Sequence, residues 1–282
     1  MNPPASPAPL GWQARLQLQL ALRRERTVVA RRWHCGPLLI QRPFYPEPDG
    51  TAHLTLIHPP GGVVGGDGLA LDLELTTDSR ALITTPAAGK FYRSAGPRAC
   101  QVQTLRVGDH AQLEWLPQET IVYRGAAVTT TTRIELSARA RFMGWEITCL
   151  GRPAAGEDFG VGCWDQRLEL WRGGRPLYLE RGRFQGGSRL LAAPWGLGGR
   201  PVMATLLAIT DQRTLVETAR NALGDPERDE LFGATWLEDG LLVIRYLGPG
   251  TLRVKGALLR VWNALRPVIL DKSPCAPRIW FT

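Results

Sequence analysis

Leu69-Ala-Leu-Asp-Leu-Glu-Leu75 decides the fold class of this chain. Leucine takes every odd position and small or acidic residues take the even ones. That is a period of two, the mark of a strand with one face on a core and the other near water. His53-Leu-Thr-Leu-Ile57 upstream has similar strand character. Downstream, Gln112 to Leu116, Thr120 to Tyr123, Val128 to Leu136 and Arg141 to Leu150 read as strands too. Gly173-Gly174 separates Leu168-Glu-Leu-Trp171 from Leu177-Tyr-Leu-Glu180, and Asp239-Gly240 separates Trp236-Leu237 from Leu241 to Tyr246. Both dipeptides suit hairpin turns whose twist matches that of paired strands.

Helix signals are few and late. Thr214-Leu-Val-Glu217 has capping-box spacing, with Leu215, Ala219 and Leu223 on one face and Gly224 to close the end. A second helix is expected from about Leu252 to Leu265, with Val254, Leu258, Val261, Trp262 and Leu265 as its apolar stripe and Pro267 as its stop. The expected fold is mainly β with two α-helices in the C-terminal third. The strand blocks show no sequence repeat. Residues 1–11, rich in proline and small side chains, read as a disordered tail, and residues 12–282 as a single domain.

The chain of 282 residues carries 34 Lys and Arg against 26 Asp and Glu, a net charge of +8. A basic surface can meet nucleic acid, an anionic membrane or an acidic protein. No run of five like charges and no basic block with interleaved aromatics is present, which argues against nucleic acid. The five cysteines are widely spaced, odd in number and without Cys-x-x-Cys, as expected of reduced thiols in a cytoplasmic protein. No apolar run approaches a membrane span.

Two segments carry more glycine and proline than a core needs: His58-Pro-Pro-Gly-Gly-Val-Val-Gly-Gly-Asp-Gly68 and Thr84-Thr-Pro-Ala-Ala-Gly-Lys-Phe-Tyr-Arg-Ser94. Gly61 and Gly66 have phosphate-loop spacing, but Asp67-Gly68 stands where Lys and Ser or Thr are required. Leu71 replaces the third glycine of a dinucleotide fingerprint, and a strand follows where a helix should. The segment reads instead as two tight turns built on Gly61, Gly62, Gly65 and Gly66, with Asp67 as a carboxylate on a rigid turn and His58 at its head. Lys90, Tyr92 and Arg93 form either an aromatic surface with a cation over it or a binding face. Metal-ligand spacing is absent among His34, His53, His58 and His110, so a tight dedicated metal site is not expected. Glu146 and Glu180 lie in apolar strands and require a partner, such as Arg152 or Arg181, or an internal polar path.

The two glycine-rich segments resemble the signature segments of the urease accessory protein UreD (UreH) family. Gly36 to Pro46, Leu113 to Ile121, Trp145 to Arg152, Leu265-Arg-Pro267 and Pro277-Arg-Ile-Trp280 are similar to further family segments in the same order. The resemblance implies a helically wound, β-helix-like fold. It also implies a non-catalytic scaffold that binds apo-urease and UreF, and through UreF the GTPase UreG, during nickel insertion. An internal nickel route is implied as well, with Asp67, Glu146 and Glu180 as the positions that fit it, nickel being transient and no cofactor tightly bound. Two other readings come from different classes: a hydrolase or transferase using the glycine-rich turn, and a basic nucleic-acid-binding protein. The first needs a nucleophile or base near Asp67, and the sequence places none there.

Overall fold

The computed structural model describes residues 11–281, so the expected tail, save Gly11, lies outside the described residues. The chain opens on an antiparallel pair, β1 (Gln13–Arg23) and β2 (Arg26–Cys35), then passes through β3 (Leu39–Ile40) to β4 (Ala52–Ile57). From β4 it winds. β5 (Gly68–Leu75) lies in one sheet and β6 (Arg80–Thr84) in the other. β7 (Gly89–Phe91) leads to β8 (Ala99–Val107), which rejoins β5. β9 (Gln112–Trp115) and β10 (Thr120–Val122) precede β11 (Ala127–Leu136). β12 (Arg141–Leu150) and β13 (Cys163–Arg172) complete the winding.

Strands β4, β6, β9 and β12 run parallel in one sheet, and β5, β8, β11 and β13 run parallel in the other. Each coil gives one strand to each sheet, for about four solenoid turns. Antiparallel strands close the stack. β14 (Arg175–Gln185) folds back on β13 through Gly173-Gly174. β15 (Val202–Ile209), β16 (Leu231–Leu237) and β17 (Leu241–Gly248) extend the sheet of β4, β6, β9 and β12, with Asp239-Gly240 between the last two. The sheets hold seven and ten strands.

The alternation read from sequence is the one that packs. Leu69, Leu71, Leu73 and Leu75 are all buried, each such side chain contributing about 1.5–3 kcal/mol relative to exposure. β1 repeats the pattern with Ala14, Leu16, Leu18 and Leu20, a strand outside the initial reading. The inner core lies between the sheets around Leu73, Leu105, Leu113 and Phe142. The opposite face of β12, with Met143, Trp145, Ile147 and Cys149, packs with residues of the late helices.

Both expected helices are present, α2 (Leu215–Leu223) and α3 (Thr251–Leu270), after a one-turn α1 (Arg189–Ala192). Two details differ from expectation. Thr214 has helical backbone angles and makes no side-chain cap, and Glu217 pairs with Arg220. Pro267 does not end α3; the helix runs to Leu270 and stops at Asp271, whose φ is 57°. Proline forfeits one backbone bond, but Leu265, Arg266, Ile269 and Leu270 are buried on either side of it, and that packing holds the last turn. Among the described residues no helix is long and apolar enough to cross a membrane, and all five cysteines are free.

Candidate functional site

The two glycine-rich segments meet. The Val63 amide donates to the Lys90 carbonyl and the Tyr92 amide to the Val63 carbonyl, both at 2.8 Å. Val63 and Phe91 are buried at this bridge. Gly62 is obligatory here: a Cβ would lie 2.1 Å from the Tyr92 ring. A Cβ on Gly65 would meet the Ser94 hydroxyl at 2.2 Å, while Gly61 and Gly66 have positive φ. The Tyr92 ring meets Tyr123 edge-on at 4.9 Å. The cation laid on this pair is Arg152, 4.9 Å from the Tyr123 ring; Arg93 is exposed and Lys90 half-buried.

Asp67 fastens the turn. It is 2% exposed, and its two oxygens accept the amides of Trp12 (3.2 Å) and Val64 (3.0 Å). His58 packs on Trp12 at 5.0 Å. Burial pushes the His58 imidazole below the ordinary histidine value, a shift that the nearby Asp67 carboxylate opposes. Beside these turns lies a cavity of about 210 Å³ lined by His58, Gly61, Val63, Lys90, Gln101 and Gln103.

Gln101 and Gln103 begin a polar band across the inner face of the seven-stranded sheet. Gln103, Thr132, Leu168 and Glu180 are register partners on β8, β11, β13 and β14. Gln101, Thr130, Gln166 and Gly182 form the adjacent row. On the facing sheet Glu146, Thr205 and Arg245 pair in register. The rows touch. Thr132 donates to Gln103 at 3.0 Å, Thr132 and Gln166 lie beside the Glu146 carboxyl, and Glu146 feels the charge of Glu180. Glu180 in turn accepts from Tyr178 (2.8 Å), Thr205 (3.4 Å) and Arg245 (2.7 Å). Arg245 is the exposed partner of Glu180.

The two acids differ. Glu180 pairs with Arg245 and not with Arg181, since adjacent strand residues point to opposite faces. Arg152 pairs with Glu157. Among the described residues no cation is paired with Glu146. Glu146 keeps some accessible surface while lying deep in the protein, so that surface lines the space between the sheets. Burial, and then the neighbouring Glu180, push its carboxyl up to about 7 against hydrogen bonds that favour ionisation. Asp67 is not joined to the two glutamates by any contact among the described residues, and none of the three lines the cavity beside the turns.

Comparison with known proteins identifies the lineage. The family model described as UreD urease accessory protein matches residues 13–281. The chain belongs to the UreD urease accessory protein family. It is 47% identical to the urease accessory protein UreD of Azoarcus sp. (strain BH72), over 96% of this chain and 95% of that one. Identity to the UreD of Alkalilimnicola ehrlichii is 44%, over 99% and 95% of the two chains. Against the UreD of Citrobacter koseri it is 43%, over 96% and 92%.

This UreD-family chain also holds a buried ionic centre that sequence reasoning missed. Arg266, on α3, is 0% exposed. Its Nε and Nη2 donate to Glu114 at 2.8–3.1 Å, and its Nη2 also reaches both oxygens of Glu47 at 2.7 and 2.9 Å. Trp262 Nε1 donates to Glu114 at 2.7 Å, and the guanidinium stacks over the Trp262 ring. Burial would raise Glu47, but hydrogen bonds from His53 and Arg266 hold it below the ordinary glutamate value. A signal existed: position 266 is four residues after Trp262, on the apolar stripe.

Proposed function

We propose that this chain serves urease maturation as a non-catalytic cytoplasmic scaffold. It bridges apo-urease and UreF, and through UreF the GTPase UreG, and gives nickel a guarded way to the urease site. Family membership supports the maturation role. The observation that carries the route is the row of polar side chains between the sheets, from the cavity at Gln103 past Thr132, Glu146 and Glu180 to Arg245, with Glu146 close enough to Glu180 to feel its charge.

The chemistry suits cargo rather than a resident ion. Carboxylate, amide and hydroxyl oxygens are hard donors and hold a borderline ion such as nickel weakly. A carboxyl titrating near neutrality, as at Glu146, releases its proton to water as a cation takes its place and takes one back as the cation leaves. Glu180, held by Arg245, adds further carboxylate oxygens near Glu146. Asp67 holds the signature turns beside the cavity at Gln101 and Gln103.

The test is paired. Glu146→Leu and Glu180→Leu are expected to leave capture of UreF and apo-urease intact in a pull-down while lowering the nickel content of the matured urease. Failure of the unaltered chain to capture UreF and apo-urease overturns the scaffold. Normal nickel content in both variants overturns the route.

A further inference from the structure

We infer that Glu47, His53 and Cys275 form a binding site for a borderline divalent transition ion, of the zinc and nickel class, distinct from the polar band. One ligand atom from each residue lies within 4.8 Å of the others. The donor set is one carboxylate oxygen, one imidazole nitrogen and one sulfur. Hard ions are not served by sulfur and imidazole, whereas zinc, cobalt and nickel are.

The surroundings hold the three residues in place. Phe44 and His53 exchange backbone hydrogen bonds at 2.8 and 3.0 Å, so the turn between them delivers Glu47 against the His53 ring. Glu47 and His53 are 8% and 7% exposed, and His53 Nε2 lies 2.7 Å from Glu47 Oε1. A carboxylate only accepts, so Nε2 carries the proton in this contact. The other ring nitrogen, Nδ1, is buried without a hydrogen-bond partner. Cys275 is brought in by the chain after α3: Arg266 bonds the Ser273 carbonyl, and Lys272 pairs with Asp49 at 3.0 Å. Arg266 grips Glu47 through one nitrogen, which orients the carboxylate and leaves lone pairs unspent.

An ion here takes the place of the Nε2 proton, which moves to the vacant Nδ1 of the same neutral ring, displaces the Cys275 thiol proton to solvent, and ties the C-terminal segment to β4. The site rests on this geometry alone and stands or falls apart from the proposed route. The experiment titrates the full-length chain with Co²⁺ and follows thiolate-to-cobalt charge-transfer absorption, then displaces the cobalt with Zn²⁺ or Ni²⁺, using Mg²⁺ as the hard-ion control. The expected result is a charge-transfer band that Zn²⁺ and Ni²⁺ abolish, that Mg²⁺ leaves alone, and that is missing from Cys275→Ala. Alkylation of Cys275, mapped by mass spectrometry in the unaltered chain, is expected to slow at least about tenfold when free Zn²⁺ exceeds its dissociation constant tenfold, with the exposed Cys35 and Cys100 unaffected. The absence of a band, its survival in Cys275→Ala, its loss to Mg²⁺, or unchanged alkylation of Cys275 overturns the site.

Discussion

Glu146 and Glu180 act on each other from facing sheets, yet only Glu180 has an arginine. The folded Glu146 carboxyl titrates near 7 against an ordinary 4.5, so between those values the folded chain holds a proton that the unfolded chain has lost. Stability from this group therefore falls as pH rises through that interval, and an amide removes the dependence. Glu146→Gln is expected to stabilise the protein by up to about 3 kcal/mol above neutrality, fading toward zero near pH 4.5. Denaturant unfolding across pH checks it; a gain of equal size at every pH would show that the carboxyl is not perturbed.

Arg266 bonds two buried carboxylates at once. Arg266→Met leaves Glu47 and Glu114 without their shared cation, and is expected to cost about 3–5 kcal/mol. Equilibrium unfolding measures this, and a loss below about 1 kcal/mol, the range of a surface pair, would contradict the buried centre.

The bridge between the signature segments depends on the absence of a side chain at position 62. Gly62→Ala is expected to destabilise by about 1–3 kcal/mol through its clash with Tyr92. In a double-mutant cycle, Tyr92→Ala should remove much of that penalty. Strict additivity of the two changes would show that the ring is not what excludes a Cβ.

Asp67 accepts from two amides, and asparagine brings one oxygen where two donors converge. Asp67→Asn is expected to cost about 1–3 kcal/mol and to speed hydrogen exchange at the Trp12 and Val64 amides. Unchanged exchange at both would remove Asp67 from its fastening role.

Much of the architecture was legible from local pattern. The leucine alternation of β5 and the glycine-containing hairpins are decided by residues a few positions apart, and they hold in the structure. β1 carries the same alternating signal in Ala14, Leu16, Leu18 and Leu20. The end of α3 was misplaced because the local preference of Pro267 yielded to distant packing. Site geometry was harder. Glu146 and Glu180 stand out in sequence as acids in apolar strands, but their register across the sheets and the choice of Arg245 are tertiary. Glu47, His53 and Cys275 have no shared spacing; a turn and the segment after α3 bring them together.

Glu47 and Arg266 are separated by 219 residues, and Glu114 and Arg266 by 152. A chain emerging from the ribosome can wind its coils in order, each on the one before. Until α3 is made, however, two carboxylates destined for the interior have no guanidinium to receive them. The nascent protein must leave that end of the solenoid hydrated, and the final helix acts as the closing wedge. Chains cut short before Arg266 should therefore be recognised as unfinished by cellular quality control, even with every coil already wound.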